Sequence, residues 1–66
     1  KNKFDLTEKE IEIIQHVSTG LTTKEIANKL NRSVHTVTTH RRNILKKMDT
    51  RNTSDMLIIA IKERVI

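Results

Sequence analysis

Thr38, Thr39, Arg42 and Asn43, with His35 and Lys46 around them, are the residues of this 66-residue chain best placed to do chemistry on another molecule. On a helix, at about 100° per residue, they fall on one face. That face carries hydroxyls, an amide and cations, and no carboxylate. Such a mixture suits a polyanion that also has hydrogen-bonding edges, as DNA has in its major groove. The fork of Arg42 can pair with guanine O6 and N7, and Thr38 and Thr39 are placed to touch base edges or a thymine methyl. Asn43 is placed to read a base, hold a phosphate or hydrogen-bond within the protein. The expected phosphate contacts are Lys24, Arg32, Ser33, His35, Thr36, Lys46 and Lys47, joined by the amides that open the helix. The bland alternative is a solvated face, but faces that are only solvated usually mix charge signs.

The element that must position these groups is a helix over Ser33 to Met48. Its other side carries Val37, Ile44 and Met48 in one stripe, with His40 at the edge. Before it, Thr7 with Glu10 and Thr22 with Glu25 each read as a capping box that starts a helix. Helix 1 would bury Ile13, Ile14 and Val17, with Ile11 to the flank, and end at Gly20, the only glycine. Leu21 would re-enter the core. Helix 2, about Thr23 to Leu30, would turn Ile26, Ala27 and Leu30 inward. Asn31 suits the left-handed turn that follows, and Ser33 suits the cap of helix 3. A joint of about three residues forces a steep helix crossing, the helix-turn-helix arrangement. After a polar turn, Asn52 or Thr53 would cap helix 4, running to about Arg64. Six consecutive apolar residues, Met56 to Ile61, exceed what one face can bury. The expectation is Leu57, Ala60 and Ile61 inward, with Ile58 and Ile59 outward between Asp55 and Lys62 as a pairing surface.

Charge supports this placement. The net charge is +5, and residues 32–51 hold all of that excess, with Asp49 as their only acid. A basic stripe confined to one element points to nucleic acid or to an acidic partner. The chain is long enough for one small domain. Without cysteine it has neither disulfides nor thiolate metal ligands. His35 and His40 do not share a helix face and His16 lies on another helix, so no metal site or other cofactor is expected. No nucleophile–base pair stands out, so an enzyme is not expected. No apolar run is long enough to span a bilayer, and no membrane contact is expected. Residues 1–5 read as the end of a linker and 6–66 as the domain. The start at Lys1 rather than Met suggests a piece of a longer protein.

In order along the chain stand Leu6-Thr7 with Glu10, Gly20-Leu21, Lys24-Glu25-Ile26-Ala27 with Leu30, Ser33, Thr36-Val37, His40, Asn43-Ile44 and Lys47-Met48. Together they resemble the LuxR-type DNA-binding domain of the NarL/FixJ kind, over about Leu6 to Ile66. The resemblance implies an all-α, four-helix domain: helix 2 as scaffold, helix 3 in the major groove, helix 4 for dimerisation. It also implies the C-terminal part of a cytoplasmic bacterial transcription regulator, behind a receiver or other sensory domain. Double-stranded DNA and a second copy of the chain are the expected partners, with RNA polymerase a further candidate. Three positions depart from the family pattern. Thr38 stands where Lys is usual, Arg32 where an apolar turn residue is common, and Thr53 where Arg is frequent. The Thr38 departure implies a base preference of its own. The rival reading is a basic protein-interaction module that holds an acidic partner. RNA is less suited, because Phe4 is the only aromatic available for stacking.

Overall fold

The computed structural model describes residues 2–66, and it consists of four helices: α1 (Glu8–Ser18), α2 (Thr23–Leu30), α3 (Val34–Lys47) and α4 (Thr53–Lys62). Each begins at a side chain that takes an otherwise unpaired amide. Thr7 and Thr22 accept from the amides of Glu10 and Glu25, whose carboxylates accept in return from the Thr7 and Thr22 amides at 2.9 Å. Ser33 accepts from Thr36 and Asn52 from Asp55. Asn52, of the two caps considered, is therefore the one used.

The helices also end alike. Gly20, Asn31, Asp49 and Arg64 all take positive φ, at 91°, 56°, 52° and 58°. The amides that follow them, of Leu21, Arg32, Thr50 and Val65, donate back to His16, Ala27, Leu45 and Ala60 at 2.8–3.2 Å. Gly20, Asn31, Asp49 and Arg64 themselves donate to Val17, Asn28, Lys46 and Ile61. This paired pattern is the Schellman end, which satisfies the last carbonyls of a helix. It closes α4 at Lys62, two residues short of the expected Arg64.

The core is built from all four helices. Ile13, Ile14, Val17, Ile26, Ala27, Val37, Ile44, Met48, Met56 and Ala60 are buried, with Leu6 closing one end. Burying each large aliphatic side chain contributes about 1.5–3 kcal/mol. Leu30, expected inside, is only partly buried, because α2 ends at that residue.

Helix α4 corrects the expectation most clearly. Met56 and Ala60 face the core at 2% and 0% exposure, whereas Ile61 is 63% exposed. Ile59, expected outward, is partly buried against the core, as is Leu57. An uninterrupted apolar run contains no polar residue to set its phase, so packing against α1 sets it.

Residues 2–5, expected as the end of a linker, lie against the domain. The Asn2 side chain accepts from the amides of Phe4 and Leu6 and donates to the Leu6 carbonyl. Phe4 packs on the core, and Lys3 pairs with Glu63 at 3.6 Å. Lys1, where the expected linker stretch begins, lies outside the described residues.

Candidate nucleic-acid interface

Val37, Ile44 and Met48 are 0–3% exposed and anchor one side of α3. The opposite side is then open. His35, Thr38, Thr39, Arg42, Asn43 and Lys46 are all exposed and stand together on that face. Among the described residues, none of them is an acid and none joins an ion pair. The first turn of α3 has no acid either, so its amides are not neutralised by a carboxylate of their own helix. Ser33 and Thr36 sit at that turn with their hydroxyls 2.9 Å apart, and Ser33 accepts from the Thr36 amide at 3.0 Å. Each hydroxyl can both donate and accept, so capping does not exhaust it. Lys24, in the first turn of α2, and Arg32, in the joint, are exposed.

Helix α3 carries four cations, and they divide into two pairs. Arg42 and Lys46 point outward; Arg41 and Lys47 flank the buried stripe and turn back to the protein. Lys47, expected on a phosphate, places its Nζ 2.8 Å from Glu10 Oε1 and 3.2 Å from the Asp5 carbonyl. The Glu10 side chain is 5% exposed. Burial pushes its carboxyl up, but the Lys47 hydrogen bond, the Thr7 amide and the Lys47 charge outweigh that and hold it below its ordinary 4.5. Lys47 is therefore partnered by a buried carboxylate and stands apart from the open face.

Arg41, one of the cations of residues 32–51, joins α3 to two other helices at once. One terminal nitrogen donates to Thr23 Oγ1 at 2.8 Å and the other to Thr53 Oγ1 at 3.0 Å. Its position at the edge of the apolar stripe was a signal that it would not be fully solvated. The identity of its acceptors needs the tertiary fold. Of the four residues expected to form the pairing surface, Asp55, Ile58 and Lys62 are exposed, and Ile59 leans on the core. The outer apolar ridge is instead Ile58 with Ile61, each 63% exposed.

A joint of three residues between two packed helices, α2 and α3, with a basic, carboxylate-free outer face on the second, defines a helix-turn-helix domain. Comparison with known proteins extends this. Residues 5–60 match the model of the bacterial regulatory proteins, luxR family, and the chain belongs to that family. Membership implies DNA binding in transcription regulation. The chain is 46% identical over 57 residues to the uncharacterized response regulatory protein YgeK of Escherichia coli K12, covering 86% of this chain and 39% of that one. It is 37% identical over 59 residues to the nitrate/nitrite response regulator NarP of the same organism, covering 89% and 27%. The chain thus spans well under half the length of these relatives. The crystal structure of the response regulator ChrA, of a heme-sensing two-component system, matches with a TM-score of 0.91 at 35% identity. That match covers all of this chain and 33% of the other. Among the described residues no helix is long and apolar enough to cross a membrane, and no group of three or more His, Cys, Asp or Glu could hold a metal ion.

Proposed function

We propose that this domain binds double-stranded DNA in a sequence-specific manner, with the outer face of α3 in the major groove. The observation that carries the reading is the single exposed face of Thr38, Thr39, Arg42 and Asn43, unbroken by acid and held rigidly by the buried stripe behind it. Arg42 reads a guanine; Thr38, Thr39 and Asn43 meet neighbouring base edges. Lys24, Arg32 and Lys46, with Ser33, His35, Thr36 and the opening amides of α3, fix the register on phosphates. Lys47 is left out of that set because Glu10 holds it.

Two copies pair through Ile58 and Ile61 of α4, with Asp55 and Lys62 beside them, and read half-sites about one helical turn apart. The exposed isoleucine pair supports this surface. In the full-length protein the domain serves as the effector of a response regulator with an upstream receiver, a reading supported by the response regulators it resembles. Selection of a preferred duplex, followed by binding of Arg42→Ala, tests the reading role. The variant is expected to lose about 1–3 kcal/mol of discrimination at one base pair while binding random duplex nearly as before. Unchanged preference at every position would remove Arg42 from base readout.

A further inference from the structure

Among the described residues, the side-chain hydrogen bonds that join one helix to another all come from α3. Two of the three come from Arg41, and they reach Thr23 and Thr53, the first residues of α2 and α4. These acceptors lie 18 and 12 residues away in sequence, on opposite sides of α3 in chain order. Both are neutral hydroxyls. A cation beside the positive ends of two helices is disfavoured by their dipoles, so charge pairing does not explain the contact. What the guanidinium supplies is direction. It is planar, and its N–H groups diverge in a fixed fork, so holding two acceptors at once fixes the rotation of α3 against both.

Resting on the proposed reading of DNA by α3, we infer that Arg41 is a positioning residue for sequence recognition: it sets the angle at which α3 presents Arg42 and its neighbours, and touches neither base nor phosphate. Arg42 is the next residue along the helix, so a small rotation about the helix axis moves its fork off a base edge. Phosphate contacts through flexible lysines tolerate such a rotation; bidentate base contacts do not. A lysine at position 41 would keep the charge but could not hold both hydroxyls with fixed divergence.

The test compares the 66-residue chain with Arg41→Met, Arg41→Lys and the near-isosteric pair Thr23→Val with Thr53→Val. Each is titrated against a selected duplex and a random-sequence duplex at several salt concentrations, after a thermal melt shows it folded. The expected result is a loss of about tenfold on the selected duplex in all three, with random-duplex affinity and salt slope unchanged. Adding Arg41→Met to the paired threonine variant should cause no further loss. A parallel fall on both duplexes, with the salt slope reduced by about one, would make Arg41 a phosphate contact and overturn the inference. So would rescue by Arg41→Lys, or an unchanged ratio between the two duplexes in every variant. The threonine variants keep the test open if removal of Arg41 prevents folding. Failure of the unsubstituted chain to bind any duplex is a separate outcome: it would overturn the DNA reading and the inference together.

Discussion

Glu10 and Lys47 show how one side chain is held by another far away in the chain. The capping box places the Glu10 carboxylate at the start of α1, where its Oε1 accepts from the Thr7 amide at 2.9 Å and from Lys47 Nζ at 2.8 Å. Replacing it by Gln keeps an acceptor for the cap but removes the charge from Lys47. Glu10→Gln should cost about 1.5–3 kcal/mol, the range for hydrogen bonds to charged groups, read from a urea midpoint. The pair also carries a pH dependence. The folded carboxyl holds its proton less tightly than the ordinary 4.5 of the unfolded chain. Its contribution is therefore complete above that value and is lost as pH falls below it, through the lower folded value. Denaturation of the parent between about pH 6 and 3 should show this acid slope, and Glu10→Gln should show less of it. An identical slope in both proteins would mean that another group controls the acid limb. The half of this pair that was legible in the sequence is the cap, a local pattern of four residues. Lys47 looked like one more surface cation because its partner lies 37 residues away.

At the scale of the elements, the starts and stops of the helices were readable because they are local chemistry. Thr7, Thr22 and Ser33 declare three of the starts, and Gly20 and Asn31 the first two stops. Arg64 declares nothing, since a long cationic side chain is not a residue that favours the left-handed region. The end of α4 was therefore placed two residues late. The phase of α4 was missed for a related reason: six apolar residues in succession offer no polar marker, and only tertiary packing chooses Met56 and Ala60 as the buried stripe. The backbone at Arg64 yields a prediction. At φ 58° its Cβ is crowded against the following carbonyl, and glycine would relieve this. Arg64→Gly should raise stability by about 1 kcal/mol, seen as an increase of roughly 4–8 °C in Tm for a domain of this size. No increase would mean that contacts of the arginine side chain offset the backbone strain.

The whole molecule is a small core with two unlike surfaces turned outward. The α3 face carries cations and short polar groups; the α4 face exposes Ile58 and Ile61. Both faces were visible as kinds of surface in the sequence, one by its missing acids and the other by its surplus of apolar residues. Which isoleucines form the second surface was not visible, because Ile59, expected outward, packs on the core. Ile58→Lys leaves the core intact and places a charge on the proposed contact. Sedimentation on a duplex with two half-sites should show the parent bound as a cooperative pair and Ile58→Lys bound singly. Cooperative pairing retained by the variant would exclude this face.

The central claim, that the basic face is a DNA-binding surface, is tested most directly by fluorescence anisotropy of a labelled random-sequence duplex. The domain would be titrated at several salt concentrations. The outward cations predict saturable binding that weakens as salt rises, with a log–log slope of magnitude about 3 or more as counterions are displaced. Absence of saturable binding even at low salt would contradict the account and favour the rival in which the same face holds an acidic protein partner.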